Sequence, residues 1–425
     1  MQRMLPRTGR PALSLALAAM FAIGCYAQES RPMKKHEEAE IAPGEVINTQ
    51  EIRRGVPMGG RDGKSRTQIA YEQIIAKVEP DLQGDPDRLS AYIANFYHEC
   101  VSDTRLFAVK LDAQWQDGTV VLTGHAEFPQ IREALEMYFE YLKFEKIDNR
   151  VELLPADALG AKKYALVTTA NAKSYDNPGE HRETMTQDFV GDVVYLLKEA
   201  ENGYYLCHSS EGYVGYIDGA ALKRVDAAEL AAYKKGAQAT FRRLFKGEDL
   251  LIPAGAVLPV RKETKETISV ELPDGRLVAV PAGLVSVRPE GSLPVESVEA
   301  IQTAREMLGT PYLWGGKNTE GVDCSGLVQA SFRSQGVSLA RDAFQQALSG
   351  RLVGTRWHMD LMQPGDLVYF LGSRGKISHT GIYLGGMEYI EAASPGVKIT
   401  SMDPKAENFE KHRLDTFCFA KRVVE

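Results

Sequence analysis

The run Val322-Asp323-Cys324-Ser325-Gly326-Leu327-Val328 decides how the C-terminal third of the chain is read. It follows Gly309-Thr310-Pro311-Tyr312-Leu313-Trp314-Gly315-Gly316, a glycine-rich turn. It leads into Leu327, Val328, Ala330 and Phe332, apolar residues at helix-compatible spacing. Cys324 therefore falls in the first turn of a helix. Unpaired N–H groups and the helix dipole favour a thiolate there, and a thiol of lowered pKa is a nucleophile at neutral pH. Taken alone, the same cysteine fits equally a small buried apolar residue. The catalytic reading needs a base elsewhere in the chain.

The flanks of this run define its setting. A helix is expected over 298–308, ended by Gly309 and Pro311. After the cysteine helix come apolar strand patterns at 367–370, 377–384 and 388–392, and a last one near 416–423. Helices first and an antiparallel sheet second make an α+β layout over 296–425. His379 opens the second of these strands, where a rigid backbone can aim it.

Upstream, the 425 residues divide further, and this length suggests about two to four domains. Arg3, Arg7 and Arg10 precede an apolar run over 12–23, too short to span a bilayer, so 1–24 reads as a signal peptide. Ala22-Ile23-Gly24-Cys25 suggests lipidation at Cys25, and Cys25-Tyr26-Ala27 offers an ordinary cleavage site instead. Export to the periplasm or cell envelope follows from either, with a membrane tether if Cys25 is lipidated. Residues 25–64 are polar and read as a flexible arm. Residues 65–158 alternate helices and strands as an N-terminal α/β domain, with strands at 106–111, 119–124 and 149–154. Residues 161–226 and 237–290 carry short strands with turn signals about every ten residues, the pattern of two small all-β barrels; a helical connector over 223–235 joins them. The formal net charge of −7 disfavours a nucleic-acid partner. Phosphate loops, Cys-x-x-Cys and His-x-x-x-His spacings are absent from the sequence, so no metal or cofactor is implied. Cys100, Cys207 and Cys418 are too irregularly spaced to read as a disulfide framework, and a pairing among them stays open.

Four segments occur in a fixed order: Tyr312-Leu313-Trp314-Gly315-Gly316, Asp323-Cys324-Ser325-Gly326, Pro364-Gly365-Asp366-Leu367-Val368 and His379-Thr380-Gly381-Ile382-Tyr383-Leu384-Gly385. Together they resemble the NlpC-type family of papain-like cysteine peptidases, which cut cell-wall peptides. The resemblance covers about the last 130 residues. It implies Cys324 as nucleophile and His379 as base. It places the residue that orients the base twelve positions later, at Glu391, where family members usually carry a histidine. A carboxylate can fill that role by holding the imidazole tautomer.

Residues 161–226 resemble a bacterial Src-homology-three-like domain, most of all at Glu211-Gly212-Tyr213-Val214-Gly215-Tyr216-Ile217, with a second copy over 237–290. "DGTVVLTGHAEF" at 117–128 resembles a BON-type domain. In family members with such barrels, the loop at Arg341-Asp342-Ala343 closes the cleft, and its acidic residue pairs with the free amine of an N-terminal L-Ala. The resemblance thus implies Asp342 as substrate ligand, with Arg341 beside it, Tyr312, Trp314, Asp323 and Ser325 lining the pocket, and Tyr213 as its lid. The implied activity is hydrolysis of γ-D-glutamyl–diamino-acid bonds in peptidoglycan stem peptides. A wall-binding protein without catalysis, and an amidase or acyltransferase on the same fold, fit the same segments.

One geometric expectation follows. His379 and Glu391 share a face of the sheet only if the intervening hairpin has an odd loop or a bulge. A three-residue loop over 384–386 pairs them directly; a two-residue Gly385-Gly386 turn sends Glu391 to the other face.

Overall fold

The computed structural model describes residues 64–289 and 297–424. The expected signal peptide, Cys25 and the arm up to residue 63 lie outside the described residues.

Near the N-terminus, helices Arg66–Ile75, Leu89–Cys100 and Pro129–Tyr141 cover a four-stranded sheet whose central hairpin is Val109–Gln116 and Thr119–Ala126. Ser65 caps the first helix by accepting from the Gln68 N–H. Asp117 and Gly118 both take positive φ, so a two-residue turn sets Gln116 opposite Thr119. Tyr92, Phe96, Leu122, Leu135 and Phe139 close the core between the layers. The strand expected from 106 begins only at Val109. Asp103 intervenes: its side chain accepts from the Arg105 N–H at 3.1 Å, and its carbonyl accepts from the Leu106 N–H at 2.9 Å. An aspartate that satisfies the backbone locally makes a turn rather than a strand.

Seven strands between Tyr164 and Val225 form one antiparallel sheet, and five between Gln238 and Arg288 form another. The helix between them spans Ala227–Lys234, shorter than the expected connector because Leu222–Val225 continues as a strand. Asp226 and Glu229 make a capping box at its start.

The C-terminal unit holds α1 (Ser297–Glu306), α2 (Cys324–Arg333) and α3 (Ala343–Gln346). Its strands are β1 (Arg351–Thr355), β2 (Leu367–Leu371), β3 (Ile377–Gly385), β4 (Glu388–Ala393), β5 (Gly396–Ser401) and β6 (Phe417–Arg422). The sheet order is β1-β6-β2-β3-β4-β5. β1 and β5 are additions to the sequence reading. α2 is buried along most of its length and packs on β3 and β4 in one core that holds Leu327 and Val328 with Ile382 and Ile390. Asp366, in the Pro-Gly-Asp segment, is buried and takes Arg422 through two oxygens, at 2.7 and 2.9 Å. That ion pair locks β2 to β6 and explains the segment as scaffolding.

Buried contacts fasten the units together. Lys317 pairs with Glu211 of the seven-stranded sheet, both side chains nearly inaccessible. Arg333 of α2 pairs with Asp192 and donates to the Gly255 carbonyl. His208 Nε2 lies 2.7 Å from Glu127 Oε1 of the N-terminal unit. Cys100, Cys207, Cys324 and Cys418 are free thiols.

Candidate active site

Cys324 is the first residue of α2. Asp323 caps that helix, accepting from the Gly326 N–H at 2.7 Å through one oxygen and from the Gly315 N–H at 2.8 Å through the other. One carboxylate thus ties the glycine-rich turn to the cysteine helix. The glycines are required by close approach. A Cβ on Gly326 would sit 2.0 Å from the Gly316 carbonyl oxygen, and one on Gly315, which has φ +77°, would sit 2.3 Å from the Thr184 carbonyl oxygen. The turn is therefore pressed between α2 and the seven-stranded sheet.

Arg341 completes this floor. Its guanidinium pairs with both oxygens of Asp323 and donates to Ser325 Oγ at 2.9 Å. Asp323, Ser325 and Arg341 are all buried. Asp323 and Ser325, expected to line the pocket, and Arg341, expected beside Asp342, instead direct these polar atoms at one another. Burial raises the cost of leaving any of them unpaired; both terminal nitrogens of Arg341 are satisfied here, while its Nε is buried without a partner.

β3 carries His379, which stands opposite Phe370 of β2, and the Thr380 backbone of the same strand eases the Cys324 thiol downward. The His379 Nε2 atom bonds the Glu391 carboxylate in a very short contact. The hairpin allows this through a bulge, one of the two expected routes, rather than through a three-residue loop. Gly386 and Met387, both at positive φ, make a two-residue turn between Gly385 and Glu388, and a bulge at Leu384 restores parity. Ile382 then pairs with Ile390, and the register continues to set Gly381, not His379, across from Glu391. A Cβ at Gly381 would lie 3.5 Å from the Glu391 Cβ. The histidine reaches its carboxylate diagonally, past a residue with no side chain, on the shared face.

Glu391 is fully buried and carries four partners. Thr400 Oγ1 donates to it at 2.8 Å, Arg413 Nη2 approaches at 3.0 Å and Lys398 Nζ at 3.9 Å, besides His379. Burial pushes its pKa up, but the His379 hydrogen bond, the His379 and Arg413 charges and the Thr400 hydroxyl outweigh this, and it is held below the usual range. His379 is lowered, first by burial and then by Arg413 and Lys398, against the pull of Glu391. Arg413 also stacks on Phe370, 5.5 Å from the ring centre. Thr400, Lys398 and Arg413 escaped the sequence reading. They sit on β5 and on a short helix 22 residues after Glu391, with no local signature.

The thiol departs from expectation. Burial, and then the Asp323 charge, push the Cys324 pKa up to about 12, against relief from the Thr380 and Ser325 backbone and the Arg341 charge. That direction is opposite to the one the helix start suggests. Nε2 of His379 is taken by the Glu391 carboxylate.

Tyr312 borders the sulfur closely enough that Cys324 and Asp323 help burial raise its phenol to about 12. Trp314 lies on the surface, 60% exposed. Asp342 opens toward solvent with a fifth of its side chain accessible. Its Oδ2 accepts from Tyr213 OH at 3.3 Å and takes Arg105 Nη1 at 2.9 Å. Tyr213 and Asp342 are therefore together, joined by an arginine from the N-terminal unit that no sequence signal marked.

Residues 309–414 match the NlpC/P60 family. A γ-D-glutamyl-L-lysine dipeptidyl-peptidase of Bacillus subtilis (strain 168) is 36% identical over 132 residues, covering 29% of this chain and 43% of that protein. The chain thus spans less than half the length of this relative. Dipeptidyl-peptidase 6 of Lysinibacillus sphaericus is 26% identical over 257 residues, 56% of this chain and 92% of its own. The crystal structure of an NlpC/P60 family protein from Bacillus cereus aligns with a TM-score of 0.52 at 19% identity, over 62% of this chain and all of that one, which is a likeness of fold. The chain thus carries an NlpC/P60 family domain at its C-terminus, over residues 309–414.

Proposed function

We propose that this chain is an exported cysteine endopeptidase that hydrolyses the γ-D-glutamyl–diamino-acid bond of peptidoglycan stem peptides. The observation that carries the proposal is the packing of α2, which begins at Cys324, on β3, whose His379 is held by the buried Glu391. Names of relatives at modest identity support the same bond class.

In this reading the His379 Nδ1 takes the thiol proton as sulfur attacks the γ-carbonyl carbon. Backbone N–H groups at the helix start stabilise the oxyanion. The C–N bond breaks, the amine leaves with the proton from His379, and water, deprotonated by His379, hydrolyses the thioester. The carboxylate of Asp342, with Tyr213 as lid, receives the ammonium of an N-terminal L-Ala; Tyr312 and Trp314 border the peptide. An acylated N-terminus leaves Asp342 without that partner, so released stem peptides are preferred over muramyl-linked wall. The strands of 161–226 and 237–290 serve as Src-homology-three-like modules, the first of which supplies Tyr213. Export and the lipid tether at Cys25 rest on the sequence of 1–25.

Mass spectrometry of the products from L-Ala-γ-D-Glu-diaminopimelate tests this. The expected products are L-Ala-γ-D-Glu and free diaminopimelate. Release of L-Ala alone, or transfer of the acyl group to an added amine in place of hydrolysis, overturns it.

A further inference from the structure

We infer that the Asp103–Arg105 turn of the N-terminal unit is a specificity element that competes with the substrate's ammonium at Asp342. The inference rests on the free-amine reading of Asp342 given above. Arg105 holds Asp103 through a fork, Nε to Oδ1 at 2.7 Å and Nη2 to Oδ2 at 2.9 Å, and offers its remaining Nη1 to Asp342. The guanidinium stacks on Phe344, 4.8 Å from the ring centre, and Gln345 donates to Asp103 at 3.2 Å. The turn is thus docked on α3, the helix that Asp342 precedes.

The charges say what this does. Arg341 is cancelled by Asp323, and Lys317 by Glu211. That leaves Asp342, Asp103 and Arg105 in direct contact, two carboxylates for one guanidinium, with Arg374 and Lys376 lining the cavity beside Arg105. A cation of the protein already occupies Oδ2 of Asp342. An incoming ammonium must displace Nη1 from Asp342, and Arg105 then keeps its two bonds to Asp103. Displacement is therefore cheap, yet it weakens amine binding. The N-terminal unit sets how strongly a free N-terminus is preferred.

Two substitutions separate this from a merely structural contact, because they act in opposite directions. Arg105→Ala removes the competing cation and leaves both carboxylates, so affinity for L-Ala-γ-D-Glu over its N-acetyl form rises by about fivefold, the upper range for a partly exposed ion pair. Asp103→Asn leaves Arg105 only Asp342 to pair with and removes one negative charge, so the same ratio falls. Calorimetric binding of the two dipeptides to full-length protein carrying Cys324→Ala, with each substitution added, reads this ratio without catalysis. A ratio that moves the same way in both variants, or in neither, overturns the inference and leaves the hydrolase intact. The predicted order of affinities, together with no peptide cleavage by the protein that keeps Cys324, overturns the hydrolase and leaves the inference standing.

Discussion

Arg413 and His379 share one carboxylate: both approach Oε2 of Glu391, the imidazole through Nε2 and the guanidinium through Nη2 at 3.0 Å. A buried carboxylate beside a histidine would by itself make the imidazole strongly basic. Arg413 offsets that charge, so the pair presents His379 with an acceptor that is nearly neutral in sum. A histidine in the orienting position, usual in the family this domain resembles, presents a neutral acceptor as well. Glutamate with arginine reaches a similar electrostatic result from different residues.

Glu391 should orient the base through its hydrogen bond. Glu391→Ala is expected to lower kcat by about a hundredfold or more, since the imidazole loses its tautomer and aim. It also strands the Arg413 charge in a buried site, at a cost of about 3–5 kcal/mol in stability. Steady-state kinetics on a defined stem peptide and urea unfolding check the two effects separately.

Arg413 should set the pH at which the base works. Its charge helps to hold His379 low. Arg413→Gln removes that charge and leaves Glu391 more free to stabilise imidazolium, so the His379 pKa rises. Because the base must be neutral to accept the thiol proton, the acid limb of the kcat/KM profile moves to higher pH. A limb that stays in place would mean that Arg413 serves packing alone.

Gly326 tests the steric argument at the nucleophile. An alanine there meets the Gly316 carbonyl oxygen at 2.0 Å, and the start of α2 must shift. We expect a loss of about 1–3 kcal/mol, typical of overpacking, together with a fall in kcat/KM. Thermal unfolding and peptide cleavage measure both.

His208 couples the N-terminal unit to the seven-stranded sheet. Burial lowers its pKa, but Glu127 and the Gly212 carbonyl outweigh this, and the net direction is upward. A raised histidine contributes stability that is fully present below its unfolded value near ~6.5 and is lost as pH rises through the folded value. The Tm difference between wild type and Glu127→Gln is therefore expected to be largest at mildly acidic pH and to shrink toward pH ~8.

The catalytic unit was legible because its chemistry is local. The glycine turn, the cap residue Asp323 and the apolar spacing after Cys324 all lie within one run, and α2 begins at Cys324 as that run implies. His379 was legible from the strand it opens. Three things were not. The sign of the thiol shift depends on burial at the α2–β3 contact, which the sequence around Cys324 does not contain. The place of the turn depended on Met387 accepting a positive φ, where the glycine pair suggested a turn one residue earlier; the bulge at Leu384 was one of the two expected routes to the shared face. Arg413 and Arg105 come to the site from 22 residues downstream of Glu391 and from another unit of the chain. Long-range pairs of charge leave no periodicity to read. The apparent strand at 106 failed for a local reason, since Asp103 satisfies its neighbours' backbone and holds the turn that carries Arg105 to Asp342.

The central claim is that Cys324 is the nucleophile of a peptide hydrolase. The direct measurement is release of diaminopimelate from L-Ala-γ-D-Glu-diaminopimelate by the wild-type protein and by Cys324→Ala, each shown to be folded by circular dichroism. Cleavage by the wild type and none by the alanine variant is the predicted result. Equal release by both, or release by neither, would contradict it.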